Sequence, residues 1–112
     1  MNRKVTVSRQ PCPLRHKFKA NPQVFDGIHF ASQKERGHYT NLQKIQANGE
    51  ILFFLRQVPL HLPGGIKYVC DFVVFWTNGE VTFEDVKGFK TDLYKVKKKL
   101  IEHHYPLEII EV

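Results

Sequence analysis

Asp71, Asp85 and Lys87 are charged residues set in stretches that otherwise read as core. The run Asp71-Phe72-Val73-Val74-Phe75-Trp76 is apolar after its first residue, and Val81-Thr82-Phe83 runs on into Glu84-Asp85-Val86-Lys87. Carboxylates and ammonium groups are rarely buried unless they are paired or hold a metal. An acid on one strand beside acid-x-Lys on its neighbour can bind a divalent cation next to an amine able to act on water. That combination suits hydrolysis.

The two segments flank Thr77-Asn78-Gly79, and together they read as a β-hairpin. Its register decides whether the charges meet. Residues directly opposite each other in an antiparallel pair share a face. A two-residue Asn78-Gly79 loop would pair Thr77 with Glu80 and Asp71 with Val86, which puts Asp71 and Asp85 on opposite faces. A three-residue loop with Gly79 in the left-handed conformation pairs Trp76 with Glu80 and Asp71 with Asp85. Only the second register assembles Asp71, Asp85 and Lys87, so a site here requires three loop residues.

The elements that must hold this hairpin follow from pattern and punctuation. Ser32 is a good helix N-cap, and Ser32-x-x-Glu35 matches a capping box. A helix over 33–48, ended by Asn48-Gly49, carries Glu35 on the same stripe as Tyr39, Leu42 and Gln46, flanked by His38 and Ile45. Glu35 can reach back to the Ser32 amide and still point into the protein. Residues 50–62 read as a strand whose run Ile51-Leu52-Phe53-Phe54-Leu55 suggests burial on both faces. Gln57 interrupts it, either as a polar residue satisfied at a strand end or as a site residue. Pro63-Gly64-Gly65 makes a loop, 66–76 the central strand and 80–87 its hairpin partner. Thr91 caps a helix over 92–104 with a core stripe of Leu93, Val96, Leu100 and Ile101. Lys97 lies inside that stripe, while Lys95, Lys98 and Lys99 form a solvated face. Residues 107–112 are a last strand, parallel to the third through a right-handed crossover.

A chain of 112 residues bounds the rest to one modest core, which we divide into a basic N-terminal arm, 1–30, and a single domain, 31–112. A net charge of +6 favours a polyanionic partner. In the arm, Arg9, Arg15, Lys17 and Lys19 interleave with His16 and Phe18, as in a phosphate-tracking segment; the alternative is a solvated tail. Cys12-x-x-x-His16 lacks a second ligand pair, and zinc is not expected. Two cysteines make no disulfide framework. No apolar run approaches ~20 residues and no secretory core is visible, so a cytoplasmic protein with no membrane span is expected.

The order helix, three strands, helix, strand, with acid on the second strand and acid-x-Lys on the third, resembles the PD-(D/E)XK nuclease superfamily. Its restriction-endonuclease-like core has this α-β-β-β-α-β order, an α/β (α+β) fold with a four-stranded mixed sheet flanked by helices. His16-Lys-Phe-Lys, Asp26-Gly-Ile, Ser32-x-x-Glu35, Tyr68-x-x-Asp71-Phe and Glu84-Asp85-Val86-Lys87-Gly88 look like a small phage-associated group within it, described as RecB-like endonucleases. The resemblance covers roughly residues 16–112. It implies that Asp71 and Asp85 hold Mg²⁺ or Mn²⁺ with the Val86 carbonyl, and that Glu35 completes the shell directly or through water. Lys87 would orient or deprotonate the attacking water, or stabilise charge on the phosphate. Gln57 and Lys97 would position the scissile phosphate. Of the acids bordering the lysine, alternation puts Glu84 on the face away from Lys87.

The activity expected from these residues is metal-dependent hydrolysis of DNA, in a phage-encoded protein of replication, recombination or processing. A DNA- or junction-binding protein on the same fold, with weak or no cleavage, ranks second, and an assembly scaffold third. A domain this small needs two copies to cut both strands symmetrically, so a homodimer is a further expectation.

Overall fold

The hairpin loop has three residues. Trp76 N–H donates to the Glu80 carbonyl (2.9 Å), Gly79 N–H returns to the Trp76 carbonyl (3.0 Å), and the Asn78 side chain accepts from Glu80 N–H (2.9 Å). Gly79 takes φ +96°, a conformation that costs a Cβ-bearing residue about 1 kcal/mol or more. This turn fixes Phe72 opposite Glu84 and Phe75 opposite Val81. Continued by one pair, the same register sets Asp71 opposite Asp85.

The computed structural model describes residues 27–112; Lys17, Lys19, the Cys12/His16 pair and nearly all of the arm lie outside the described residues. The elements run α1 (Gln33–Ala47), β1 (Ile51–Leu62), a short 3-10 turn at Pro63–Gly65, β2 (Ile66–Trp76), β3 (Val81–Asp85), α2 (Asp92–His104) and β4 (Ile109–Glu111). The sheet order is β1-β2-β3-β4, antiparallel except for the parallel β3–β4 pair. The architecture is therefore the expected α+β core of two helices and a four-stranded mixed sheet. Ser32 caps α1 by accepting from Glu35 N–H, and Thr91 caps α2 by accepting from Tyr94 N–H.

Two apolar cores lie on opposite faces of the sheet. Phe30, Tyr39 and Leu42 of the α1 layer pack on Phe72 and Val74, while Ile101 of α2 packs with Tyr68, Cys70, Val73 and Ile109 on the other face. Along β2 the α2 face holds Tyr68 and Cys70, then Val73 and Phe75, so alternation slips by one residue at Asp71. β1 does the same: Phe54 packs toward α1, whereas Val58 and Leu60 pack toward α2. Both slips occur at facing positions, because Arg56 pairs with Phe72 and Val58 with Cys70. Gln57 absorbs the irregularity with φ +51°, the one non-glycine positive φ among the described residues.

Three expectations need correction. β1 is not buried on both faces: Leu52 is 60% exposed, and Phe53 and Leu55 are exposed too. It is an edge strand longer than the helices can cover, which is also why Pro59 is tolerated in it. In α2 Leu100 and Ile101 pack inward as expected, joined by Tyr94, Lys97 and Lys98, while Leu93 and Val96 face solvent. The Tyr94 ring, packed against Tyr68, sets this roll of the helix, and Lys98 pairs with Glu102 instead of joining an open face. β3 leaves the ladder at Asp85, so Val86 and Lys87 follow in irregular backbone.

Candidate active site

α1 delivers Glu35 to the sheet in its first turn. The residue is buried (4% exposed), on the stripe it shares with Tyr39 and Leu42. One carboxylate oxygen accepts from Ala31 N–H (3.2 Å), so it closes the helix N-terminus one residue before the position a capping box would use. The other accepts from Gln57 Nε2 (3.0 Å) and from Arg56 (3.4 Å). Gln57 Nε2 also lies 3.2 Å from Asp71 Oδ1. A single amide group thus joins Glu35 to Asp71 across two strands.

Asp71 and Asp85 sit where β2 and β3 part. Each carboxylate caps a backbone N–H of the other strand: Asp71 N–H donates to Asp85 Oδ1 (2.9 Å) and Val86 N–H to Asp71 Oδ2 (3.0 Å). These bonds replace the ladder that has just ended. Asp85 is fully buried, and its second oxygen accepts from the Tyr68 hydroxyl. Burial pushes its pKa above the ordinary carboxylate range; the Asp71 N–H and Lys87 offset part of this, while Glu111 and Glu35 add to it.

Lys87 lies on the α2 side with its ammonium 4.8 Å above the Tyr94 ring, a cation–π arrangement. Lys97 Nζ reaches the Lys67 carbonyl (3.3 Å). Both lysines line one cleft of about 260 Å³ together with Lys67, Tyr68 and Tyr94. Burial and the bond to Glu111 raise the Tyr94 phenol well above its usual range, so it stays protonated as a donor.

The predicted residues therefore fall into two halves that meet at the aspartates. Glu35 and Gln57 link to Asp71 from the α1 side, whereas Asp85 bonds Tyr68, and Lys87 and Lys97 line the cleft on the α2 side. Among the described residues no three His, Cys, Asp or Glu side chains converge as a ready-made cation site. The donor set nevertheless suits a hard divalent cation in kind, since Asp71 and Asp85 offer only carboxylate oxygens. A buried Asp85 raised by its own desolvation and by two other carboxylates is the group a cation would relieve.

Glu84 is separate from this site. It turns to the α1 face, where His38 Nε2 lies 2.6 Å away and the Thr82 hydroxyl donates (2.8 Å). Burial alone would raise its pKa, but these bonds and the charge of His38 outweigh it and hold the carboxyl low.

Two contributors escape a reading of the sequence. Tyr68 looks like one more strand aromatic, and only its spacing to Asp71 in Tyr68-x-x-Asp71 marks it. Arg56 sits over the Phe30 ring (4.5 Å), with its Nε buried and without a partner. Alternation from Phe54 would have put Arg56 on the α1 face. Cys70 is buried and free, its thiol pushed up by burial to about 11, which makes it inert. No helix among the described residues is long and apolar enough to cross a membrane.

A family model described as "Protein of unknown function (DUF1064)" matches residues 15–110. No curated protein matches the chain, and no solved structure does.

Proposed function

The chain belongs to the DUF1064 family, and we propose that it hydrolyses DNA phosphodiester bonds as a Mg²⁺- or Mn²⁺-dependent endonuclease of the PD-(D/E)XK type. The observation that carries the reading is the hairpin register, which brings two buried or half-buried aspartates together beside Lys87 at the point where their strands separate. Charged groups at such a position cost stability, and function is the usual compensation.

Asp71 and Asp85 would hold the cation with the Val86 carbonyl, and Glu35 would steady Asp71 through Gln57. The bound cation would acidify a water and polarise a phosphoryl oxygen. The Lys87 ammonium, packed on Tyr94 in the cleft, would orient that water or neutralise charge on the phosphate. Tyr68 orients Asp85 through its hydroxyl. Lys97, which lines the cleft with Lys87, offers a donor to phosphate oxygens. Two copies of a nuclease of this size would cut both strands.

The test is incubation of the purified full chain with linear, nicked and four-way-junction DNA, with Mg²⁺ or Mn²⁺. Cleavage should fall by at least about 10²-fold in Asp71→Ala, Asp85→Ala or Lys87→Ala. The losses should not add, because each variant removes the same rate. Full activity in Asp85→Ala, or cleavage undiminished by excess EDTA, refutes the reading. One observation favours the second reading, a DNA- or junction-binding protein: both aspartates are spent on backbone N–H groups. That reading predicts metal-independent binding with no cleavage.

A further inference from the structure

Helix α2 and the loop before it present an apolar stripe to solvent. Phe89 is 84% exposed, Leu93 63% and Val96 54%. Leu93 and Val96, three residues apart, share one side of α2, and Phe89 lies in the loop that leads into it. Three large apolar side chains exposed on one short segment, outside both cores, are unfavourable in water and mark an interaction surface.

The surrounding charge names the partner. Between residues 87 and 99 the chain carries six lysines against the single acid Asp92; Lys90 and Lys98 pair with Glu111 and Glu102, which leaves Lys87, Lys95, Lys97 and Lys99 as the basic field. A second copy docked about a two-fold axis would set this basic field against itself, which disfavours a self-interface. A nucleic acid fits the charge, but an intact duplex hides its apolar base faces in the stack. Those faces are free only at a flap, fork, nick or frayed end, where exposed apolar side chains act as wedges and stacking platforms. Leu93 is shared between the stripe and the cleft that Lys67 and Lys97 line, so base and phosphate contacts adjoin.

We infer that Phe89 and Leu93 form a wedge that binds DNA at a break in base stacking, with Lys67 and Lys97 taking the phosphate of the displaced nucleotide. The substrate class is therefore branched or flapped DNA rather than continuous duplex. The inference rests on the DNA-directed part of the proposed function, not on cleavage.

The test measures binding of the full chain in EDTA by fluorescence anisotropy. The probes are a 5′-flap duplex carrying 2-aminopurine at the branch and a blunt duplex of equal length. The wild type should prefer the flap about tenfold, the order that one base–aromatic contact supplies, and should change the 2-aminopurine signal. Phe89→Ala or Leu93→Ala should collapse that ratio toward one, and Phe89→Trp should retain it. Unchanged melting temperatures will show that these exposed positions leave the fold intact. Lys67→Ala with Lys97→Ala should weaken both complexes and lower the salt slope by about one per lysine.

A wild-type ratio kept by Phe89→Ala, or equal wild-type affinity for both probes, overturns the inference. So does a variant that sediments as a smaller species with its ratio unchanged, since the stripe then contacts a second copy. If cleavage occurs while Phe89→Ala keeps the wild-type ratio, only the wedge fails; a flap preference without cleavage in any metal removes only the nuclease chemistry.

Discussion

Replacing Gln57 separates strain from function, because Gly and Ala remove the same bonds but treat the backbone differently. Gln57 holds φ +51° and donates from one nitrogen to both Glu35 and Asp71. The left-handed conformation costs a residue with a Cβ about 1–2 kcal/mol, which Gly escapes and Ala does not. Gly gives back roughly 0.5–1 kcal/mol through the greater freedom of its unfolded chain. Gln57→Gly should therefore be more stable than Gln57→Ala by about 0.5–1 kcal/mol, a difference of roughly 4 °C in melting temperature for a domain of this size. Both variants lose two hydrogen bonds worth up to about 1 kcal/mol each, less here because the side chain is exposed. Thermal unfolding by circular dichroism reads the first effect, and a cleavage assay the second. If the amide bridge positions Asp71, both variants lose activity to the same extent, on the order of tenfold, although one melts higher. Gln57→Gly melting at or below Gln57→Ala would refute the strain argument. Full cleavage by Gln57→Gly would remove the bridge from the site.

Asp85→Asn should raise thermal stability near neutral pH while cleavage is lost. Because burial raises the folded-state pKa of Asp85, ionising it penalises the fold from the unfolded value of about 3.9 upward, so the variant's advantage should vanish below about pH 4. Melting temperatures at pH 4 and pH 7 check this; an advantage no larger at pH 7 would contradict it. Glu84→Gln has the opposite sign. Glu84 is held low by His38 and Thr82, so its ionised form stabilises the fold above about pH 4.3 and that contribution fades as acid protonates it. The variant should cost about 2 kcal/mol at pH 7, the scale of a hydrogen bond to a charged group, with the gap to wild type closing in acid. DNA affinity should fall steeply with salt through counterion release, and a flat profile would argue against phosphate contacts.

Local chemistry made much of this chain legible. Ser32 and Thr91 announced the helix starts, Asn78-Gly79 the hairpin, and the requirement that Asp71 meet Asp85 singled out the three-residue loop. Burial was harder to read. Ile51–Leu55 has the composition of a central strand, yet strand order, a long-range property, put it at the edge. Leu93 and Val96 suggested an inward stripe with Leu100 and Ile101, but only the latter two pack inward, and in the first turns Tyr94 against Tyr68 takes their place. In the site, the charged residues stood out against apolar neighbours, whereas Tyr68 and Arg56 did not. The slip in alternation at Gln57 and Asp71 has no sequence signature, because neither residue is a glycine. The bonds among Glu35, Gln57 and Asp71 depend on that slip.

The Thr77–Gly79 turn bears on how relatives of this chain are to be interpreted. Strand side chains repeat in twos, so deleting one loop residue would shift β3 by one position and turn Asp85 to the opposite face without altering it. A descendant with that deletion would keep every charged residue and would pass any search that counts them, yet its site would be dismantled. Loop length is thus a heritable character in its own right, carried by residues that touch no substrate. If the proposed site is right, loop length would separate intact sites from silent ones where the charged signature cannot.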